Sequence, residues 1–406
     1  MPRRYYALWL VAMCLAEGGA AFDVSYHFGH LFDYFSPPHL TVAVGVFTMV
    51  GLLGWALVLR RDRLSGFERK ALWAAAIALA VGIIDEPLDL LYHLTFGVDI
   101  TLWSPTHLML NYPTDVANVC ILAALLASPA ARARGAWAIG FGLLFRNLLT
   151  MHFALYQQEY GAVALASLNR GGTVPWFVEP ALVKLVGPRA TLLVTGGVPN
   201  WLYLIYFAFA MSYALTLCAA ALYRRQVAGT RRLPDRWPWP SGAATTLALA
   251  FVAWRLIFRA LFLTIHAAYP VVPWYLVPMG LVIDLALLFG PRWLERAGVA
   301  LDETRQRFIV SGGAGLLAAL ALYGGIAAMR AAQFVVPVTP SVALPFACLT
   351  GALGAMLGAW VGARVRELTS VVVVRRPAPK FVGAPALISL SVPGGVTASP
   401  DTAAEA

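Results

Sequence analysis

The chain has 406 residues, of which 60% are hydrophobic and only 12% are charged, and its formal net charge is +10. Soluble domains carry about a quarter charged residues, so this composition, with a mean hydropathy of +0.72, excludes a water-soluble globular protein. It predicts an all-α fold, a polytopic transmembrane helical bundle, because helices satisfy their own backbone hydrogen bonds inside a bilayer.

Apolar stretches long enough to cross ~30 Å of hydrocarbon recur along the chain. The first follows Arg3 and Arg4 and resembles a signal peptide, but no clear small-x-small cleavage site follows it, so we expect it to remain as a helix. About ten spans are predicted, at approximately residues 5–24, 40–59, 71–94, 106–128, 136–157, 199–223, 243–266, 271–291, 308–330 and 341–363.

Basic residues lie mainly in the connections that share a side with the two termini. The opposite side holds only Arg170, Lys184, Arg189 and Arg330. Because Lys and Arg accumulate in cytoplasmic loops, both termini are predicted to be cytoplasmic, in a multi-pass protein of the cell inner (cytoplasmic) membrane. The net charge then faces anionic headgroups of the lipid bilayer, and no nucleic-acid partner is predicted.

The chain divides into three predicted regions. Residues 1–130 form a duplicated helical-hairpin unit, and residues 131–366 form a further six-span membrane region with an outer loop at 158–198. Residues 367–406 are rich in Val, Pro, Ala and Ser and are expected to be a largely disordered cytoplasmic tail.

The duplicated unit carries a repeated motif. Residues 23–40, the first repeat, read DVSYHFGHLFDYFSPPHL, and residues 89–108, the second repeat, read DLLYHLTFGVDITLWSPTHL. Both begin with Asp, have Tyr and His at the third and fourth positions after it, and end with Ser-Pro-x-His-Leu. Each repeat ends one span and begins the next, so each predicts a helical hairpin that turns over the outer, extracytoplasmic surface.

The second repeat predicts a metal site. Asp85, Asp89 and His93 are spaced by four and therefore share one face of the third span. A Ser-Pro pair begins the fourth span and places His107 in its first turn. Where the two helices pack together, Asp89, His93 and His107 are expected to converge on one ion.

The first repeat offers Asp23, His27 and His39 in the same arrangement as metal ligands. Its second span then continues with Ala43 and Phe47, so no polar path leads inward from this site.

The fourth span differs at the corresponding positions. Asn111 and Asp115 follow His107 at spacings of four and extend a polar stripe towards the membrane interior. Asp85 continues the stripe on the third span. Asp115 is therefore a candidate catalytic group beside Asp89, His93 and His107, in the role of a proton relay.

Imidazole nitrogens and carboxylate oxygens together suit copper, zinc or iron. The alternative is that each histidine is only a polar residue at a helix end, because such residues are common at membrane interfaces. The predicted topology nevertheless puts every histidine of the chain near the outer face, which favours metal binding; they are His27, His30, His39, His93, His107, His152 and His266.

Three arginines lie inside predicted spans, at 146, 255 and 259. A charge inside the membrane is costly unless it is paired. We expect these arginines to form structural ion pairs with acids of the spans, namely Asp85, Glu86, Asp115 or Asp284.

The two repeats resemble the C subunit of the copper membrane monooxygenases, the particulate methane and ammonia monooxygenases. The resemblance covers about residues 20–110 and rests on Asp-x3-His followed by a second His twelve to fourteen residues on, repeated about seventy residues later. It implies copper near the outer face, with one set of ligands at Asp23, His27 and His39 and the other at Asp89, His93 and His107. In the family the second set commonly has Asn in place of Asp89.

The leading hypothesis is therefore an integral membrane metal-binding protein that acts as a copper-dependent, monooxygenase-like oxidoreductase. Its expected partners are O2, a small apolar substrate, and additional membrane or periplasmic subunits. The alternative is a membrane metal transporter or a metal-site assembly factor, with zinc or iron as the other metals. A third hypothesis is a structural membrane protein whose histidines cap helices.

Overall fold

The computed structural model describes residues 1–27, 36–96, 105–132, 135–153, 159, 162, 200–222, 242–264 and 271–374. These residues are helical, without a strand, as predicted for an all-α membrane bundle. In these ranges ten α-helices follow one another: α1 Arg3–His27, α2 Pro37–Gly54, α3 Gly66–Phe96, α4 Pro105–Ala127, α5 Ala136–Phe153, α6 Asn200–Leu222, α7 Ala243–Thr264, α8 Leu276–Arg296, α9 Glu303–Ala331 and α10 Leu344–Val374.

Nine of the described helices are long and apolar enough to cross a membrane, and α5 is shorter, with an apolar segment at Ala138–Leu149. The polytopic bundle predicted from composition is thus confirmed. The last helix continues into the predicted tail as far as Val374. The rest of the predicted tail and most of the predicted outer loop at 158–198 lie outside the described residues.

Two helix starts follow local sequence rules. Ser36 has extended backbone angles and its hydroxyl accepts a hydrogen bond from the backbone N–H of His39, at 3.4 Å, with proline in the first helical turn. Pro105 is the first residue of α4. Because proline has no N–H to satisfy and its φ is already helical, it favours the first turn. His39 and His107 therefore both lie within one turn of a helix start.

Consecutive helices form the two predicted hairpins, α1 with α2 (the first hairpin) and α3 with α4 (the second hairpin). In the first, Gly19 permits close packing: a Cβ there would lie 2.8 Å from both the backbone nitrogen and the Cγ2 atom of Val42. Small residues at a helix contact let the backbones approach closely, as is common in membrane bundles.

The remaining helices pack around α6, whose side chains Tyr203, Phe207 and Met211 are completely buried. It contacts α10 most extensively, and α8, α9 and α10 pack in chain order beside it. An interhelical cap joins α7 to α8, because Asp284 accepts hydrogen bonds from the backbone N–H groups of Ala244 and Thr245 at 3.1 and 2.7 Å. Asp284 thus caps the start of α7, at the positive end of its helix dipole. Among the described residues it does not form the ion pair with an arginine that was predicted for it.

The two hairpins have the same orientation. The amino group of Met1 forms a buried ion pair with Glu68 at 2.8 Å, so the starts of α1 and α3 lie side by side. Asp23 and Asp89 lie near the opposite ends of these helices. The two repeats are therefore at the same end of the bundle.

Candidate functional site

The first hairpin brings two members of its predicted ligand set together. His39 Nε2 lies 2.9 Å from Asp23 Oδ1, and both side chains are partly exposed. Asp23 comes from the last turns of α1 and His39 from the first turn of α2. His27 is the last residue of α1, and its side chain lies outside the described residues.

The second hairpin repeats this pair with less exposure. His107 Nε2 lies 3.5 Å from Asp89 Oδ1, and each side chain is only 17% exposed. Asp89 lies two turns before the end of α3, and His107 is in the first turn of α4. His93 lies on α3 one turn after Asp89, and its side chain is outside the described residues.

Both Asp–His pairs lie within electrostatic range of one carboxylate, Glu86. Glu86, three residues before Asp89, interacts electrostatically with Asp89 of the second pair and with His39 and Asp23 of the first. Interactions between partly exposed charges weaken strongly beyond a Debye length of about 8–10 Å. The two hairpins thus form one polar end, rich in carboxylates and imidazoles.

Asp85 lies one turn further into α3 and is completely buried. Neither of its carboxylate oxygens has a hydrogen bond with a residue that the structure describes. Its electrostatic partners are Asp89 and His107, so it belongs to the second pair. Among the described residues these partners are a carboxylate and an imidazole, and not the arginine predicted to pair with Asp85.

The polar stripe predicted on α4, Asn111 and Asp115, does not form a continuous polar path into the bundle. The Asn111 amide donates a hydrogen bond to the His107 carbonyl at 2.7 Å, which ties this side chain to its own helix. Asp115 is 4% exposed and accepts a 2.5 Å hydrogen bond from Asn147 on α5. Beside it, the hydroxyls of Tyr112 and Tyr206 are hydrogen bonded. Asp115 is therefore part of a buried contact between α4, α5 and α6.

Arg146 pairs with Glu17, an acid that was not among its predicted partners. Its Nε atom lies 3.0 Å from Glu17 Oε2 on α1, and both side chains are buried. Its Nη2 atom donates to the Thr114 hydroxyl on α4, also at 3.0 Å. Arg146 also interacts electrostatically with Asp115. The signal that was available is Glu17 itself, because an acid in the middle of an apolar span indicates a buried partner.

Arg255 likewise pairs with an unexpected acid, Glu159, in a second buried cluster. Glu159 also lies 3.0 Å from His152 Nε2 and accepts a 3.3 Å hydrogen bond from the Tyr203 hydroxyl. Tyr203 is in turn 2.6 Å from the Tyr275 hydroxyl. His152 is completely buried, so it serves this cluster and not an exposed end of the bundle.

Comparisons with family models, with curated proteins and with solved structures give no match. Among the residues described, no group of three His, Cys, Asp or Glu side chains is arranged to hold a metal ion. The imidazoles that complete both predicted sets, those of His27 and His93, lie outside that description, as do His30 and His266. The two described Asp–His pairs are consequently the observation on which a function can be argued.

Proposed function

We propose that this chain is an integral membrane metal-binding protein that holds copper at two sites on its extracytoplasmic face. The ligands are Asp23, His27 and His39 at the first site and Asp89, His93 and His107 at the second. The observation that carries the proposal is the pair of Asp–His contacts, each formed across a hairpin between the residues that the repeat singles out.

The distances fit two ligands of one ion. Ligand atoms held about 2.1 Å from a tetrahedral metal lie about 3.4 Å apart. The 3.5 Å between His107 Nε2 and Asp89 Oδ1 matches this separation. The 2.9 Å between His39 Nε2 and Asp23 Oδ1 is shorter than this separation, so the two atoms have to move apart by about half an ångström to admit an ion. The second site is thus the better prepared of the two.

The leading activity is a copper-dependent, monooxygenase-like oxidation of a small apolar substrate, with electrons delivered by further membrane or periplasmic subunits. Copper supplies the one-electron and O2 chemistry in such enzymes. In this chain Asp89, His93 and His107 hold the ion, and Asp115, with Asn147 as its hydrogen-bond donor, holds a proton on the bundle side. The resemblance of the two repeats to the C subunit of copper membrane monooxygenases supports this choice.

Metal transport is the second candidate, and one observation favours it. Asp85 and Asp115 are buried acids on the interior side of the second pair, where a translocated cation would need ligands. The bond of the Asn111 amide to its own helix weighs against a continuous path between them.

Elemental analysis of the purified protein tests the proposal. We expect two copper ions per chain, one lost in His27→Ala/His39→Ala and the other in His93→Ala/His107→Ala. The control is His266→Ala, which lies outside both repeats and keeps both ions. Absence of metal from every form after reconstitution would refute metal binding. If the protein carries metal into vesicles and Asp115→Asn abolishes this transport, metal transport is supported and the oxidoreductase proposal is refuted.

A further inference from the structure

One acidic side chain is exposed inside a membrane span. Glu86 lies within the candidate span Gly66–Tyr92 of α3, and its side chain is exposed. Ionisable groups in membrane spans almost always face the bundle interior or pair with one another. The groups that interact electrostatically with Glu86 in the described part of the chain are Asp23, Asp85, Asp89 and His39. Carboxylates outnumber the imidazole among them, so this exposed position favours a cation supplied by a neighbour.

Exposed apolar side chains flank Glu86 on α3. Ile83 and Leu90 are 37% and 51% exposed. Because they lie three residues before and four residues after Glu86, all three side chains share one face of the helix. We call Ile83, Glu86 and Leu90 the acidic stripe. Since α3 packs mainly against α4, the acidic stripe is open to another protein in the membrane.

α7 carries a stripe of the same spacing and the opposite charge. Leu256 and Leu263 are 42% and 43% exposed, and Arg259, three residues after the first and four before the second, is partly exposed. We call Leu256, Arg259 and Leu263 the basic stripe. A guanidinium has five N–H donors, so Arg259 is able to bind a further carboxylate in addition to its contacts within the chain.

The two stripes lie at the same depth in the bundle. Phe262 on α7 contacts Phe22, near the end of α1, with ring centroids 6.1 Å apart. Arg259 is three residues before Phe262 and therefore lies ~4.5 Å further inward. Glu86 is likewise three residues before Asp89, which is at the same end of the bundle. Copies inserted in the same orientation share one membrane plane, so that charges at equal depth are able to meet.

We propose that copies of this chain associate side by side in the membrane, with Glu86 of one copy paired with Arg259 of the next. The apolar residues of the two stripes pack around this ion pair. The stripes have different surroundings, because α3 packs mainly against α4, whereas α7 packs against α5, α6 and α8. The interface is therefore heterologous: each copy presents its acidic stripe to one neighbour and its basic stripe to another. This association is independent of the metal-binding function proposed above.

Energy transfer between donor-labelled and acceptor-labelled copies of the purified full-length protein, reconstituted together in lipid vesicles, tests the inference. Glu86→Lys and Arg259→Glu each place like charges across the interface, and each is expected to weaken association at least about 10-fold. With the donor on one of these variants and the acceptor on the other, opposite charges meet again, and energy transfer is expected to return. The matched control is Asp62→Lys, a charge reversal at an exposed position before the start of α3, which should leave association unchanged.

Three results would overturn the inference. The first is a wild-type protein that stays monomeric at every protein-to-lipid ratio. The second is association that neither charge reversal weakens, and the third is a mixture of the two reversal variants that fails to associate although each has wild-type helix content by circular dichroism. If a reversal prevents folding, Glu86→Gln and Arg259→Gln replace it; each should weaken association about 10-fold, and unchanged association of either also overturns the inference.

Discussion

The ion pair between Glu17 and Arg146 should dominate the stability of the contact between α1 and α5. The two side chains are 4% and 8% exposed, and Nε and Oε2 are 3.0 Å apart. Substitution Glu17→Gln removes the charge of one partner and leaves the guanidinium buried beside a neutral amide. Breaking a buried pair in this way costs about 3–5 kcal/mol. We expect the free energy of unfolding to fall by this amount.

A double-mutant cycle separates the pair from its surroundings. Replacement of both partners by neutral side chains, in Glu17→Gln/Arg146→Met, leaves no uncompensated charge between them. It should therefore be more stable than the sum of the single changes predicts, by about 1–3 kcal/mol. Denaturant unfolding of the purified protein, followed by tryptophan fluorescence, gives the four free energies. The exposed pair of Arg305 with Asp302 is the control, and Arg305→Gln should change stability by only ~0–1 kcal/mol.

Strict additivity in this cycle would refute the reasoning. It would mean that Glu17 and Arg146 do not depend on each other, and that the cost of each substitution arises from its other neighbours. For Arg146 those neighbours are Thr114 and Asp115.

Three further predictions concern packing, capping and chemistry. Gly19→Val should destabilise the first hairpin by about 1–3 kcal/mol through overpacking, whereas Gly18→Val, where a Cβ meets nothing within 4 Å, should not; thermal unfolding compares them. Asp284→Ala should cost about 2 kcal/mol or more, because three hydrogen bonds at the start of α7 are lost, and amide exchange should rise first in that turn. Asp115→Asn should keep the metal content of the protein but lower oxidation activity, and loss of the metal would contradict a relay role.

The fold followed from the sequence because membrane helices are encoded locally. An apolar stretch of sufficient length predicts a span without reference to the rest of the chain. The Ser-Pro pairs similarly fixed the starts of α2 and α4, and the start of α2 has the expected hydrogen bond from His39 to Ser36. The short π-helical turn at Trp55–Leu59 that follows α2 was not predicted, since no residue pattern in that stretch distinguishes it from a regular helix.

The candidate site was predicted only as far as neighbouring helices reach. Packing of two consecutive helices brings Asp23 to His39 and Asp89 to His107, because the residues are close along the chain. The partners of Arg146 and Arg255 were missed for the opposite reason. Glu17 lies on α1, four helices before α5, and the adjacency of α1 and α5 is set by packing of the whole bundle. The spacing of residues along one helix carries no information about which distant helix will pack against it.

Arg146 joins the two repeats as well as closing an ion pair. It contacts Glu17 on the first hairpin and Thr114 on the second, and it does so from α5, which belongs to neither. Both contacts lie on the interior side of the Asp–His pairs, so this one buried side chain links the two hairpins. Loss of Arg146 should therefore weaken metal binding at both sites together, whereas loss of any single ligand weakens one. Copper content of Arg146→Met at a temperature where the protein stays folded decides between these outcomes, and an unchanged value would show that the hairpins hold their sites independently of α5.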